Sequence, residues 1–181
     1  ARWSDADSLS LRAAARANEL SVSLPLRLQL LVRGYHTLRF GSPAEAERQF
    51  RRVVEDYPTD VDGWMLLGET MFENNPYSGR PSSEAGTAFE RVMSLEPRYR
   101  EVTVYLMELA ARARRLGQLD TLYVMYFSPN SAGEQPGIRD TYTALHARLV
   151  RGKPTRIADP VGAHTALFRV GVGARERSAA R

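Results

Sequence analysis

Two fixed spacings constrain this chain more than any other feature. Leu30 and Gly34 recur thirty-four residues later as Trp64 and Gly68, and Ala46, Phe50 and Pro58 recur thirty-nine residues later as Ala85, Phe89 and Pro97. The shared order is a large residue and Gly on one helix, then Ala, an aromatic residue and Pro on the next. A unit of two helices joined by a turn is therefore repeated. The mismatch between the spacings places a five-residue insertion inside the turn of the second hairpin.

The periodicity of the flanking residues fills in the remaining helices. Ala6, Leu9, Ala13, Ala17 and Leu20 give a narrow apolar stripe behind a Ser4/Asp7 capping box, predicting a capping helix over 5–20. Ser23 and Pro25 open the next helix, whose Gly34 lets its hairpin partner approach closely, and Gly41 makes the turn. Ser42, Pro43 and Glu45 form a second helix start with Ser42 as N-cap. The charges from Glu45 to Asp56 alternate in sign and predict a solvated face. Thr59 and Asp62 start the helix of Trp64, whose indole is expected to fill a groove between repeats. Asn74 to Ser83 is loop chemistry and is expected to project.

A degenerate third unit follows. Val102, Leu106, Leu109, Ala110, Ala113 and Leu116 mark its first helix, Gly117 its turn, and Leu122, Val124 and Tyr126 its second helix. Its glycine falls three residues later than strict periodicity from Pro97 places it. After a loop at Ser128 to Gln135, Ile138, Tyr142, Leu145 and Leu149 predict a final capping helix over 137–150.

Charge sets the last 31 residues apart. Arg151, Lys153, Arg156, Arg169, Arg175, Arg177 and Arg181 stand against Asp159 and Glu176, so 151–181 carries +5 of a chain total of +4. The body, near −1, is not a basic nucleic-acid-binding domain. Pro and Gly recur in this tail without helical period. The absence of cysteine excludes disulfides, thiolate catalysis and cysteine-bound zinc. No apolar run approaches the roughly 18 residues of a membrane span, and no secretory leader pattern opens the chain, which predicts a soluble, cytoplasmic protein. Ala1 fits either a trimmed initiator or a fragment of a longer chain.

The residues offer little for catalysis. Gly152 and Lys153 lack the glycine five positions upstream and the hydroxyl residue of a phosphate loop, since Ala147 and Pro154 stand there. Gly171 and Gly173 are followed by Glu176 where a dinucleotide motif needs glycine. His36, His146 and His164 form no i, i+4 ligand pair, and each is expected to be partly exposed or locally hydrogen-bonded. Glu69 and Glu73 read as a surface pair. No nucleophile, base and stabiliser can be assembled, so neither enzyme activity, a metal nor a cofactor is expected.

The repeat pattern over 24–127 resembles the tetratricopeptide (TPR) family, departing from it at Arg33, Thr37, Val53 and Val92. The resemblance implies an all-α fold, a right-handed α-solenoid of antiparallel helix hairpins with an irregular C-terminal tail. Repeats then span about 24–58, 59–97 and 98–127 within a 1–150 body. It implies protein binding on a concave face formed by Leu31, Tyr35, Arg39, Met65, Glu69, Phe72, Met107 and Arg114. A groove with Tyr35, Met65, Phe72 and Met107 suits an apolar or helical partner, or a peptide; the alternative is that several of these pack between helices. Leu31 and Tyr35 replace the Lys and Asn that clamp a terminal carboxylate in chaperone-binding members, which argues against chaperone docking. Asn75, Tyr77 and Arg80 mark the projecting loop.

More narrowly, the runs Ala44–Glu45–Ala46–Glu47–Arg48–Gln49–Phe50 and Asn75–Pro76–Tyr77–Ser78–Gly79–Arg80–Pro81 look like TPR regions that follow some bacterial serine/threonine kinases; no kinase signature is present here. The expectation is a non-catalytic scaffold, an accessory or assembly subunit whose basic tail rests on an acidic protein or membrane surface, peripheral to a larger membrane-associated complex. A regulatory segment of a kinase or transcriptional regulator is the alternative. Nucleic-acid binding by the tail ranks third.

Overall fold

A computed structural model describes residues 2–127, 138–150 and 152. The described residues form eight α-helices and no strand. These are α1 (Arg2–Leu20), α2 (Leu26–Phe40), α3 (Pro43–Asp56), α4 (Val61–Asn74), α5 (Gly86–Leu95), α6 (Arg100–Arg112), α7 (Leu116–Tyr126) and α8 (Ile138–Leu149). The chain divides into two compact units, with the boundary after Arg98.

In the first unit, α2 pairs with α3 and α4 with α5, and α2 also touches α4. Each pair closes on a glycine facing a phenylalanine. A Cβ placed on Gly34 would lie 2.5 Å from Phe50 Cε1, and one placed on Gly68 would lie 2.5 Å from Phe89 Cε1. Both rings are fully buried. The glycines lower helix propensity by about 1 kcal/mol each relative to alanine, and this cost is offset by the ring packing that only a missing side chain allows. The same contact thus occurs once in each of these two hairpins, at the positions that carry the sequence periodicity.

The helix starts differ from the sequence reading in several places. Helix α1 begins at Arg2, so Ser4 lies inside it rather than capping it. Pro25 occupies the N-cap of α2 rather than its first turn. Ser42 is the N-cap residue of α3, but its side chain makes no capping bond; its carbonyl instead accepts from Glu45 N at 3.0 Å. Helix α4 is capped by neither Thr59 nor Asp62 but by Asp60, whose Oδ1 accepts from Gly63 N at 2.7 Å. Asp60 also pairs with Arg27 of α2, a bond that raises the Arg27 pKa. Trp64 is half-buried, its indole N–H donating to the Pro58 carbonyl at 3.0 Å, so it braces the preceding turn instead of filling a deep groove.

The insertion between α4 and α5 is more ordered than its composition predicts. Two short 3₁₀ turns, Asn75–Ser78 and Ser82–Ala85, flank Gly79, whose φ of 75° is left-handed. Asn75 is buried, and its amide donates to the Pro81 carbonyl at 3.3 Å and to Glu84 Oε2 at 3.2 Å.

In the second unit, α6 and α7 are joined through Arg114, at φ 54°. Arg115 N bonds the Ala110 carbonyl at 2.8 Å and Arg114 N bonds the Ala111 carbonyl at 3.1 Å. These two bonds close α6 in the Schellman pattern, with arginine where glycine is usual. Leu116 and Gly117, read from sequence as helix end and turn, are the first residues of α7. Helix α8 is held by polar bonds. Tyr142 Oη donates to buried Glu108 at 2.9 Å, Tyr123 Oη meets Thr143 Oγ1 at 2.8 Å, and His146 Nε2 lies 2.6 Å from Asp120 Oδ1 while its ring stacks on Tyr123 at 4.2 Å.

Candidate functional site

The eight residues read as a concave binding face divide by burial. Leu31, Met65, Phe72 and Met107 are buried, so their side chains serve helix packing. Phe72 meets the Phe89 ring edge-on, with centroids 6.1 Å apart. Tyr35 and Glu69 are half-buried and Arg39 is exposed, which leaves these three within reach of a partner. Arg114 is exposed but belongs to the α6–α7 turn rather than to a helix face. The tail residues Arg151, Lys153, Arg156, Arg169, Arg175 and Arg177, and the Ser128–Gln135 loop, lie outside the described residues.

The three loop residues come together with the start of α3 around a cleft of about 290 Å³. Ser42, Pro43, Ala44 and Glu47 form one wall; Asn74, Asn75, Tyr77, Ser78 and Arg80 form the other. Of Asn75, Tyr77 and Arg80, Tyr77 is the exposed one, at 91%. Asn75 faces inward, and Arg80 turns back to the preceding repeat, so the loop is anchored rather than free.

Glu47 is the anchor. Its Oε1 accepts from Arg51 Nη2 at 2.7 Å and from Arg80 Nη2 at 3.0 Å, and its Oε2 accepts from Arg80 Nη1 at 3.1 Å. Arg80 Nε completes the cluster on Glu84 Oε2 at 3.0 Å. Burial opposes ionisation of Glu47, yet the hydrogen bonds from Arg80 and Arg51 outweigh it and hold the carboxyl below its ordinary range. The bond to Glu47 likewise raises the Arg80 pKa. With both arginines engaged, the cleft presents an aromatic lip, small apolar walls and neutral amides and hydroxyls. Such a lining suits a side chain or short backbone segment of another protein.

The sequence reading assigned Glu47 to a solvated face with its alternating neighbours. Glu45 and Arg48 do form a loose exposed pair at 3.9 Å, as do Arg52 and Asp56 at 3.8 Å, and pairs of this kind contribute little. Glu47 differs because it lies beside Ala46 and one turn before Phe50, on the packed side of α3. That position, with Arg51 four residues on, was the available signal; the second arginine had none, because Arg80 comes from the insertion.

Among the described residues no group of three or more His, Asp or Glu side chains is placed to hold a metal, and no helix is long and apolar enough to cross a membrane. No family model, curated protein or solved structure matches this chain.

Proposed function

We propose that this chain is a non-catalytic protein–protein interaction scaffold of the tetratricopeptide type, an accessory or assembly subunit of a larger cytoplasmic complex. The observation that carries the reading is the recurrence of one packing contact, Gly34 on Phe50 and Gly68 on Phe89, in consecutive helix hairpins. The contact between α2 and α4 supports stacking of first helices in a right-handed α-solenoid. On this reading Tyr35, Arg39 and Glu69 receive a peptide or helix of the partner, with buried Leu31, Met65 and Phe72 setting the shape beneath them.

Affinity purification from the native cell tests it, using the full chain beside a variant carrying Tyr35→Ala, Arg39→Glu and Glu69→Arg. A stoichiometric partner kept by the first and lost by the second, with matching circular dichroism, supports the scaffold. A partner held equally by both moves binding off this face, and recovery of the protein alone overturns the reading.

A second reading, a regulatory segment associated with a bacterial serine/threonine kinase, draws on one observation. The two runs that resemble kinase-associated repeats, 44–50 and 75–81, face each other across the cleft and are joined by Glu47 and Arg80. Flanking coding sequence that encodes a kinase domain in frame separates this reading from the first.

A further inference from the structure

One eight-residue stretch beyond α8 repeats a buried segment of the first unit. Ala85, Thr87, Ala88, Arg91 and Val92 recur seventy-eight residues later as Ala163, Thr165, Ala166, Arg169 and Val170, and Leu167 stands in the place of Phe89. Ala46, Phe50, Arg52 and Val53 keep the same spacing in α3. The order alanine, large apolar residue, arginine, valine is therefore present three times. Asp159 and Pro160 precede the third as Ser42 and Pro43 precede the first, an N-cap residue followed by a proline suited to a first helical position. The departure is Phe168, where Arg51 and Glu90 stand exposed.

In the first unit these positions divide in one way. Ala46, Phe50 and Val53, like Ala85, Phe89 and Val92, are fully buried, whereas Arg52 and Arg91 are exposed. Each apolar set closes on the helix that comes before it in the chain, α2 for the first and α4 for the second. For the third set that helix is α8.

Helix α8 has the matching face. Its Tyr142 and His146 are turned to α6 and α7 through Glu108 and Asp120. On α4, Gly63 touches Val53 and Val54 of the preceding hairpin, and Gly68, five residues on, receives the ring of its own partner. The same step from Tyr142 leads to Ala147, about 140° round the helix, and Ala144 lies about 200° round it. Both side chains are small. Alanine facing leucine here replaces glycine facing phenylalanine, a volume-conserving exchange. Gly152, at a left-handed φ of 64°, and Pro154 stop the helix and turn the chain back. Ten residues, 150–159, then separate α8 from Pro160, against eleven, 75–85, between α4 and α5.

We propose that residues 160–170 are the second helix of a fourth hairpin, laid on α8 with Ala163, Leu167 and Val170 against Ala144 and Ala147 and with Arg169 in solvent. Read by itself 151–181 shows no helical period, because Gly162, Gly171 and Gly173 interrupt it, and a helix this short is marginal in water without a surface to cover. The proposal states how the array ends and holds whether or not the scaffold face binds a partner.

The test labels single cysteines in the full chain, which has none of its own. Leu167→Cys reacts with a water-soluble maleimide at least about tenfold more slowly than Arg169→Cys, two residues away. Adding Ala147→Trp removes that protection while the amides of α8 stay protected from hydrogen exchange, and adding Arg148→Trp, on the exposed side of α8, leaves it in place. Equal labelling at 167 and 169 overturns the proposal. Slow labelling at 167 that Ala147→Trp does not change places the segment on another surface and overturns it, and protection that disappears on dilution assigns the cover to a second copy of the chain and overturns it too.

Discussion

Arg80 and Glu47 face each other across thirty-three residues of sequence, with both terminal guanidinium nitrogens on one carboxylate at 3.0 and 3.1 Å. The insertion is thereby fastened to the repeat before it. Such forked pairs are geometrically specific as well as stronger than neutral hydrogen bonds.

Removing either partner should loosen the insertion before it unfolds the hairpins. Arg80→Ala is expected to cost about 1 kcal/mol, because the arginine is partly exposed and Arg51 still holds the carboxylate. Limited proteolysis should then cut within 75–85 faster than in the parent, while cleavage elsewhere is unchanged. Equal cutting rates would show that the 3₁₀ turns hold the loop without the ion pair.

The depressed pKa of Glu47 has a defined sign for stability against pH. A carboxyl that titrates lower when folded than when unfolded contributes fully above its ordinary value of 4.5 and loses that contribution as pH falls through the folded value. Glu47→Gln should therefore be less stable than the parent at neutral pH, by about 1 to 2 kcal/mol. The gap should narrow progressively below about pH 4.5 and vanish in strong acid. Thermal midpoints of the two proteins across this range measure it; a gap that stays constant with pH would remove Glu47 from the acid response.

Three glycines should respond to alanine with opposite signs. Gly34→Ala and Gly68→Ala drive a methyl into a fully buried ring and are expected to cost about 1 to 3 kcal/mol despite better helix propensity. Gly117 in α7 has open space where a Cβ would sit, so Gly117→Ala should gain up to about 1 kcal/mol. Denaturant midpoints decide this, and Phe50→Leu should partly rescue Gly34→Ala if the ring is the obstacle.

Arg114 should be improvable. Its left-handed φ of 54° strains any residue with a side chain, and Arg114→Gly is expected to stabilise the α6–α7 hairpin by about 1 kcal/mol. Unchanged or lowered stability would mean that the arginine side chain contributes more than the backbone loses.

That turn also shows where sequence reading succeeds and where it stops. The hairpins of the first unit were legible because a side chain at Gly34 or Gly68 would collide with the Phe50 or Phe89 ring, so the spacing of glycine and aromatic reported packing directly. In the third unit Arg114 occupies the glycine position. Searching for glycine led three residues downstream to Gly117, and the predicted turn moved with it. Asp60 was missed as a cap because Thr59 and Asp62 carry the same local chemistry. The insertion's place was readable from the mismatch of spacings, and within it Tyr77 is exposed. The inward turn of Asn75 and Arg80 was not readable, because its cause is a carboxylate one repeat away. The split of the concave-face residues by burial has the same origin: helical spacing shows which residues share a face but not which neighbour covers it.

Asp60 terminates one helix and grips another, capping α4 through Gly63 while holding Arg27 of α2. The two hairpins therefore share a fastening, and neither can open without weakening the other. Loss of order at α2 releases the guanidinium from a buried carboxylate, whose desolvation then falls on the first turn of α4 alone. Unravelling one hairpin at a time, the natural failure of a modular array, is suppressed here in favour of a joint opening, so amides of α2 and α4 should exchange with solvent as one cooperative block.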